Sequence, residues 1–457
     1  MLSDDIRDPA IRTDTPSARP GWLTPSWVME RIGDLVLTSK TPLWWWVCLA
    51  LSFAMLGAFG YILTNIVQQG VGLWAFNIPV IWGVDITNFV FWIGIGHAGT
   101  LISAVLLLFR QQWRTSLSRF AESMTLFALA VAGLFPIFHL GRPWLALWLT
   151  PYPNTLGLNP QWRSPLVWDV FAISTYLLVS LLFWYMALLP DMAAMRDKAK
   201  NPVIRGAFAA LCLGWRGDHS HWERYHTASF LLAAIGTPLV ISVHSIVGMD
   251  FAVSIISGWH QTVFPPYFVA GAVFSGLAMV LVMAVPLRSA FKLQSLITMD
   301  HLENAAKLML VTGLLVGYGY LMEAFAPYYT GHKEEIALFN DRVSGFYAPY
   351  FWTMVIANVA FSQLLWFRAV RRNPVLLVMI SLVVLVGMWL ERFVIIVTSL
   401  YAHRLTSMWN PSVPGAWDIA TIIAPFGLFL TLMFLFIRLL PLLPIHEVQE
   451  VIAEGHD

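Results

Sequence analysis

The sequence is poor in charge and in cysteine. Only 12% of its 457 residues are charged and 58% are hydrophobic, whereas a soluble domain carries roughly 25% charged residues. This shortage argues against a water-soluble protein. Two cysteines, Cys48 and Cys212, are too few for a disulfide framework, a zinc site or an iron–sulfur cluster. Any redox role must therefore take its metal centres from another protein of the same complex.

Several signatures of bound groups are also missing from the sequence. It contains no C-x-x-C-H for a c-type haem, no P-loop and no G-x-G-x-x-G. His97, His139, His226 and His244 do not form the matched pairs at equal depth that a b haem requires. The basic residues are scattered, and residues 1–43 contain no apolar core of a signal peptide. We therefore expect no intrinsic haem, iron–sulfur or metal group and no nucleic-acid partner.

Ten apolar stretches of about 20 residues predict an all-α integral membrane protein with ten transmembrane helices. Several begin with a proline at a helix-opening position, such as Pro165 and Pro374. The 22 Trp and 30 Phe residues suit an apolar exterior with interfacial belts. The predicted spans cover residues 43–66, 84–109, 120–140, 165–188, 225–248, 266–287, 302–326, 349–369, 374–399 and 417–440.

Positive charge is distributed unevenly between the two sides of the predicted spans. Of the 27 Lys and Arg residues, eighteen lie in the N-terminal tail and the even-numbered connections, two more (Arg368 and Arg438) lie at the ends of the eighth and tenth spans on that same side, and five lie in the other connections. The positive-inside rule then places both termini in the cytoplasm. We expect a multi-pass protein of the bacterial cytoplasmic (inner) membrane, surrounded by lipids.

An internal repeat divides the predicted spans into two groups. The pattern F-x-x-G-x-x-x-x-G occurs at Phe91–Gly99 in the second span and at Phe268–Gly276 in the sixth, and Pro-x-x-Trp opens the fourth and eighth. The spacing predicts two pseudo-symmetric four-helix bundles, spans 2–5 and 6–9, with two flanking helices. The predicted organisation is a cytoplasmic tail 1–42, flanking span 43–66, first bundle 84–248, outer loop 249–265, second bundle 266–399, flanking span 417–440 and cytoplasmic tail 441–457.

Ionisable residues inside a membrane are costly and are candidates for function. Most of them fall in the outer third of the predicted spans, which indicates a water-filled or ligand-filled pocket there. The candidates are His97 near the middle and His139, Asp169, His244, Asp250, Glu323, Glu391 and Arg392 towards the outer side.

Structural explanations remain open for several of these residues. Glu391 and Arg392 could form an ion pair with Asp250 or Glu323 that serves only packing. His97 could be a hydrogen-bonded core histidine. Three further groups, Lys307, Asp85 and Asp418, are interpreted as a lysine that reaches the cytoplasmic interface and two carboxylates at helix N-termini.

His139 and Asp169 form the sharpest candidate site. They belong to consecutive predicted spans at similar depth. Histidine can hold a quinol hydroxyl and accept its proton near neutral pH, and a carboxylate can orient the imidazole or pass the proton outward. Three tryptophans, Trp144, Trp148 and Trp168, could wall a flat-ring pocket. An ordinary structural His–Asp hydrogen bond is the alternative.

Three segments carry a resemblance to a known family. They are Phe135–Trp144 with His139 and Arg142, Ser164–Asp169 with Trp168, and His244–Ala252 followed by Gly258–His260 and Phe264–Phe268. Together they resemble the NrfD/polysulfide-reductase membrane-subunit family over nearly the whole chain, and within it the quinol-oxidising subunit of bacterial alternative complex III.

This resemblance implies a function and a set of partners. Such subunits bind menaquinol or ubiquinol as substrate near the outer face. They pass electrons to a periplasmic iron–sulfur subunit, then to c-type cytochrome subunits and a terminal oxidase, beside a homologous NrfD-like membrane subunit. His139 and Asp169 would be catalytic, with Arg142 and Trp168 in the quinol site. A proton pathway would use His97, His244, Asp250, Glu323, Glu391 and Arg392.

Two other functions stay open at this point. The chain could be the quinone-linked membrane anchor of a molybdopterin oxidoreductase of the polysulfide reductase type. It could also be a proton-coupled transporter, since repeat bundles with buried acids occur there. Against transport, the polar groups gather at one face rather than at the midplane.

Overall fold

The computed structural model describes residues 24–37, 40–76, 80–149, 162, 164–401, 411 and 413–454. The regular elements in these residues are all helical, and nine of the helices are long and apolar enough to cross a membrane. The all-α membrane architecture is thus confirmed. In chain order the helices are α1 Pro25–Leu37, α2 Leu43–Gln69, α3 Gly83–Leu108, α4 Gln112–Phe138, α5 Pro165–Lys198, α6 Pro202–Leu211, α7 His219–Ala252, α8 Phe264–Ala290, α9 Met299–Thr330, α10 Lys333–Ser344, α11 Ala348–Trp366, α12 Pro374–Tyr401, α13 Ala416–Leu439 and α14 Ile445–Glu454.

The predicted eighth span corresponds to α11, which is not a regular helix. It begins as an α-helix at Ala348–Val355, widens into a π-helix at Ile356–Ala360 and tightens into a 3₁₀-helix at Phe361–Trp366. Asn358 and Gln363 make this stretch more polar than the other predicted spans. π-helical turns frequently occur at functional sites, where they redirect a side chain. The other nine predicted spans correspond to the nine long apolar helices.

Helices α3 and α8, which carry the repeated glycine pattern, form the centre of the molecule. Their most apolar windows are 83% and 78% buried within the protein, against 22% for α2. Helix α3 contacts α4, α8 and α12, whereas α8 contacts α3, α7, α9 and α12. The flanking helices α2 and α13 pack on each other. These contacts are compatible with two bundles that meet at α3 and α8, and the division at residues 84–248 and 266–399 stays a prediction.

The absence of a side chain at Gly276 allows α3 and α8 to approach closely. A Cβ atom at this position would lie 2.5 Å from Cβ of Ala98 and 3.0 Å from the carbonyl oxygen of Ile95. Real carbon atoms do not approach that closely, so a larger residue would push the helices apart. Small residues at such crossings let membrane helices gain van der Waals contact that lipid cannot replace.

Both described ends of the chain lie on one face of the molecule. The side chain of Gln449 on α14 donates to the carbonyl of Pro25 on α1 at 2.6 Å. Lys198, at the end of α5, forms an ion pair with Asp34 on α1 at 3.0 Å. Arg31 donates to the carbonyl of Phe291 after α8 at 2.9 Å. The segments that the charge count assigned to one side, among them α1, the end of α5 and the end of α8, therefore share one face. We name it the terminal face.

Candidate functional site

A cavity of about 700 Å³ lies between α3, α4, α5 and the chain that connects α4 to α5. His139 and Asp169 both line it, together with a mainly apolar wall that includes Phe89, Leu129 and Ile173. The volume lies within the range of about 300–1,000 Å³ that small-molecule sites occupy. Its lining also includes Trp144, 63% exposed, so the cavity reaches the outer surface of the protein.

A tight turn positions His139. The short helix Phe135–Phe138 ends at this residue, whose backbone amide donates to the carbonyl of Phe135 at 2.9 Å. The chain reverses at Gly141, whose φ of 68° lies in the left-handed region that favours glycine. Burial lowers the pKa of the His139 imidazole from its ordinary value, against the opposing effect of nearby backbone carbonyls. The imidazole is therefore neutral near pH 7, and its buried Nδ1 lacks a hydrogen-bond partner.

Asp169 reaches the same cavity from the second turn of α5. Pro165 starts that helix, and Asp169 is 5% exposed. Its carboxyl group lies within hydrogen-bonding reach of the Asp250 carboxyl on α7. Two carboxyl groups can hydrogen-bond to each other only when a proton lies between them, so a hydrogen bond within this pair requires one shared proton. Oδ1 of Asp169 has no hydrogen-bond partner.

The structure does not join His139 directly to Asp169. Neither His139 Nδ1 nor Asp169 Oδ1 has a hydrogen-bond partner, although both atoms are buried. The expected orienting bond between imidazole and carboxylate is therefore absent from these two atoms. Both residues instead line one cavity and leave polar atoms unpaired there, which is an arrangement that a bound polar molecule would complete.

The other residues assigned to this site differ in position. Trp144 lines the cavity, whereas Trp168 does not: its indole points away and donates to the carbonyl of Trp162 at 2.7 Å. The expectation that Trp168 walls the pocket was wrong, because adjacent residues of a helix face different directions and Asp169 takes the inward one. Arg142 is exposed and is not part of the lining. The side chain of Trp148 lies outside the described residues.

His97 and His244 form a second polar group, deep in the bundle. Both are fully buried, and their ring centroids lie 4.5 Å apart in an edge-to-face arrangement. Nδ1 of His97 is 2.7 Å from the carbonyl oxygen of Ile93 on its own helix. His97 Nε2 and both ring nitrogens of His244 have no hydrogen-bond partner. Unpaired buried nitrogens of this kind are usually satisfied by internal water.

Glu391 and Arg392 on α12 form a third buried polar group. Both are essentially unexposed and form an ion pair with each other, rather than with Asp250 or Glu323. The Tyr320 hydroxyl donates to Glu391 at 2.6 Å and accepts from the Asn358 amide at 2.7 Å. The π-helical turn of α11 thus carries an inward-facing amide. The Arg392 guanidinium also lies 5.8 Å from the centre of the Phe268 ring, within the range of a cation–π contact.

Glu323 belongs to a separate cluster built by a residue outside the predicted spans. Arg342 on α10 donates to Glu323 at 2.6 Å, to the Thr398 hydroxyl at 2.7 Å and to the Ser399 hydroxyl at 2.5 Å. The guanidinium thus joins α10 to α9 and α12 and gives Oε1 of Glu323 a counter-charge. This arrangement argues for a structural role of Glu323. In contrast, the proposed proton-pathway residues His97 and His244 lie next to each other with unpaired ring nitrogens.

Three peripheral charges were interpreted as structural. Oδ2 of Asp418 accepts from the amides of Gly415 and Ala75, so this carboxylate binds backbone at a helix start. Lys307 is half exposed and lies 3.7 Å from Glu303. Asp85 lies in the first turn of α3 and is fully buried with Oδ2 unpaired. Among the residues that the structure describes, no three His, Cys, Asp or Glu side chains form a cluster for a metal ion.

Several residues of these networks were not identified from the sequence. Arg342 was counted as a loop charge, and Tyr320 and Asn358 carry no charge to mark them. Arg119 and Glu122 lie inside α4, which begins at Gln112 rather than at residue 120. Their spacing of three residues, which places them on one helix face, is the signal that could have revealed them.

Comparison with known proteins adds the family. A protein-family model described as Polysulphide reductase, NrfD matches residues 75–402. A putative membrane subunit of a dimethyl sulfoxide reductase from Halobacterium salinarum is 28% identical over 237 residues, which are 49% of this chain and 50% of that protein. The chain thus spans about half the length of that relative. A selenate reductase subunit from Mesobacillus selenatarsenatis is 22% identical over 409 residues, 85% of this chain and 92% of that protein. Because the family match covers well over half of its length, this multi-pass membrane protein belongs to the NrfD polysulphide reductase family.

Proposed function

We propose that this chain is the quinone-reactive membrane subunit of an oxidoreductase made of several proteins, and that the cavity at His139 and Asp169 is its quinone site. The observation that carries this proposal is a cavity of about 700 Å³ in which the neutral imidazole of His139 and the carboxyl group of Asp169 meet a mainly apolar wall. A quinone has the same division, with a polar ring and an apolar tail.

The residues of the cavity match the chemistry of quinol oxidation. Oxidation of a quinol to a quinone releases two electrons and two protons. His139 can accept one proton, because its imidazole is neutral and one ring nitrogen is unpaired. The Asp169–Asp250 pair can take up the other and release it towards the nearer surface. The reverse sequence of proton transfers serves quinone reduction, so the same site supports either direction.

Electrons must leave the cavity through a partner. The two cysteines cannot build an iron–sulfur cluster, so we infer a partner protein with metal centres that docks close to the cavity. Proximity matters because the electrons and protons of one quinol separate at the same place. The cavity lies near the ends of α4 and α5 that are remote from the terminal face, and this end is the expected docking face.

The names of the relatives favour one kind of complex. Both are described as subunits of reductases, for dimethyl sulfoxide and for selenate. We therefore propose that the chain links the quinone pool to a molybdopterin-type reductase with iron–sulfur subunits. In that setting the cavity would oxidise quinol, and the electrons would reduce a terminal substrate outside the membrane.

A second candidate is the quinol-oxidising subunit of alternative complex III. One observation favours it: the three sequence segments that carry this resemblance converge, since His139, Asp169 and Asp250 each come from a different one. Its partners would be an iron–sulfur subunit, c-type cytochrome subunits, a homologous membrane subunit and a terminal oxidase. Coupled proton translocation through His97, His244, Glu391 and Arg392 would belong to either complex.

The proposed placement is the bacterial cytoplasmic membrane, with both termini on the cytoplasmic side. It is supported by the charge asymmetry and by the contacts that unite the two ends of the chain on one face. A proton-coupled transporter is the less supported function, because the large cavity lies towards one end of α4 and α5 instead of at the middle of the membrane.

The test uses the chain purified with its native partners from membranes. Titration with menaquinone and ubiquinone analogues should show saturable binding that is lost in His139→Ala and Asp169→Ala. Metal analysis and activity of the purified complex then separate the candidates: molybdenum with selenate or sulfoxide reduction supports the first, and c-type haem reduced by quinol supports the second. No binding of either quinone by the wild-type complex would overturn the proposal.

A further inference from the structure

A second, smaller cavity lies between α3, α4, α5 and α7, on the other side of the polar core from the quinone site. Its volume of about 20 Å³ is enough to hold about one water molecule. Its polar lining consists of hydroxyl groups and one carboxyl group: Thr100, Ser103, Thr125, Tyr176, Ser180 and Glu122. Apolar side chains of α5 and α7 close the remaining side.

Glu122 is the carboxyl group in this cavity, and one of its oxygen atoms lacks a hydrogen-bond partner. Its side chain is 7% exposed, and Oε2 has no hydrogen-bond partner. Nε of Arg119 lies 4.0 Å from Oε2, beyond hydrogen-bonding distance, and has no hydrogen-bond partner of its own. Nη2 of the same guanidinium donates to the Ala187 carbonyl at 2.6 Å, and Nη1 forms an ion pair with Asp191 at 3.0 Å. The buried cluster of Glu122, Arg119 and Asp191 therefore contains two carboxylates and one guanidinium, so the binding of one proton would make its net charge zero.

A charged pair connects this group to the terminal face. Arg114 and Glu447 of α14 lie 3.2 Å apart, with side chains 11% and 21% exposed. Both act electrostatically on Glu122, as does Arg119, and Tyr225 of α7 faces the same cluster. Charged side chains of α4 and α14 thus lie close enough to Glu122 to act on its carboxyl group.

Further polar side chains extend from the same cavity towards His97 and His244, and Thr100 and Tyr176 line the cavity together with Glu122. The hydroxyl of Thr100 lies 2.7 Å from that of Tyr176, which is 3.0 Å from the Gly96 carbonyl oxygen. The Tyr176 ring lies 5.3 Å from His97, and His97 lies 4.5 Å from His244. The helix α3 widens into a π-turn at Leu101–Val105, beside this cavity. Such turns expose backbone carbonyls and redirect side chains.

We propose that the carboxyl group of Glu122 is a proton-binding site that exchanges with solvent on the terminal face. It lies at one end of a polar column that continues through Tyr176, His97 and His244 towards the Asp169–Asp250 pair. The ligand is a proton held with one internal water, and no covalent or redox step is involved. The link to quinone chemistry rests on the proposed function, whereas proton binding at Glu122 does not.

The experiment is infrared difference spectroscopy of the purified complex in H₂O and D₂O. The wild type should show a carboxylic acid carbonyl band that shifts in D₂O and is absent from Glu122→Gln. Glu303→Gln is the matched control, because Glu303 is 8% exposed near the same face but forms an ion pair with Arg371 at 3.3 Å. It should keep the band. An unchanged set of carboxyl bands in Glu122→Gln would overturn the proposal.

A second variant covers the case in which Glu122→Gln does not accumulate. The Ser103 hydroxyl lines the same cavity and donates to the Gly99 carbonyl at 2.7 Å, so its oxygen can accept from a protonated Glu122, and Ser103→Ala should move the frequency of the same band. A band that does not move in Ser103→Ala contradicts the assignment. The infrared measurement does not depend on quinone turnover. It therefore still tests proton binding at Glu122 if the proposed quinone site proves wrong.

The link to quinone chemistry has its own readout. If the column supplies or removes protons during turnover, Glu122→Gln should lower the maximal rate and leave the KM for quinol unchanged. It should also raise the solvent isotope effect on the remaining rate. Equal maximal rates and isotope effects in wild type and variant would restrict Glu122 to proton binding without a role in turnover, which contradicts the column.

Discussion

Nη1 of Arg342 lies 2.6 Å from Oε1 of Glu323, with side chains only 2% and 9% exposed. The arginine comes from α10, outside the predicted spans, and the glutamate from the membrane helix α9. Arg342→Gln leaves the carboxylate buried without a counter-charge. Removal of one partner of a buried pair typically costs about 3–5 kcal/mol. We expect a loss of that size in the free energy of unfolding, measured by denaturant titration in detergent.

An exposed ion pair provides the matched control. Asp300 pairs with Arg372, and the two side chains are 66% and 34% exposed. Because Arg372 also pairs with the buried Glu303, the control changes Asp300 alone. Asp300→Asn should cost about 1 kcal/mol or less, since solvent screens such pairs. The double variant Arg342→Gln with Glu323→Gln should recover much of the lost stability. Equal destabilisation by Arg342→Gln and Asp300→Asn would contradict the assignment of Arg342 as the counter-charge of a buried carboxylate.

Removal of the polar groups of the large cavity should abolish quinone-dependent turnover. General acid–base groups typically contribute about 10²–10⁴-fold to a rate, so His139→Ala and Asp169→Ala should each reduce quinol-dependent reduction of the partner at least within that range. The measurement is steady-state activity of the purified complex, with assembly checked by size-exclusion chromatography. Wild-type turnover in either variant would disprove the site assignment.

Trp168 offers the control for that experiment. It is adjacent to Asp169 in sequence, but its indole donates to Trp162 and does not line the cavity. Trp168→Phe removes this hydrogen bond and keeps an aromatic ring. We expect near wild-type affinity for quinone. A large rise in KM for this variant would show that the original sequence-based expectation for Trp168 was closer to the truth.

The pH dependence of quinol oxidation should report His139. A general base must be neutral, and burial lowers the pKa of this imidazole below its ordinary 6.5. The imidazole therefore stays neutral down to that lower pH, and the rate is lost only as the pH falls further. We expect the acidic limb of kcat/KM to lie below pH 6.5 and to disappear in His139→Gln, whose residual rate should not respond there. An acidic limb above 6.5 would contradict this role.

The crossing of the two central helices should be sensitive to a single methyl group. At Gly276 an added Cβ would meet Ala98 at 2.5 Å, and overpacking of this kind costs about 1–3 kcal/mol. Gly276→Ala should therefore lower the melting temperature in detergent. Gly57→Ala on α2 is the matched control, because nothing lies within 4 Å of its Cβ position. Equal melting temperatures for the two variants would remove the argument for a close crossing.

Sequence patterns predicted the helices well because membrane insertion depends on properties that are local to a segment. Length, apolarity and an opening proline decide where a span such as α12 begins, and the structure starts it at Pro374. The charge count likewise grouped the segments that share the terminal face. The repeated glycines were recognised as a pattern, and the structure shows that the two copies pack on each other at Gly276 and Ala98.

Side-chain partners were harder to predict, because they depend on distant elements. Nothing near Glu323 in the sequence indicates that Arg342 folds back onto it. The apolar window that placed the third span at residue 120 excluded Arg119, whose charge is balanced by Asp191 from another helix. The direction of Trp168 followed from the helix register and not from its residue type. The similar depth of His139 and Asp169 could be predicted from the sequence, whereas the proximity of Asp169 to Asp250 could not.

The packing of α14 against Asp191 on α5 has a consequence for the order in which the protein folds. Asp191 on α5 forms an ion pair with Arg119, and it also accepts from the backbone amides of Ile445 and His446, which open α14. These amides are made only after more than half of the chain has been translated beyond Asp191. Until then the carboxylate lacks two of its donors. We therefore expect the surroundings of Asp191 to reach their final arrangement only after α14 has been made and has packed against α5.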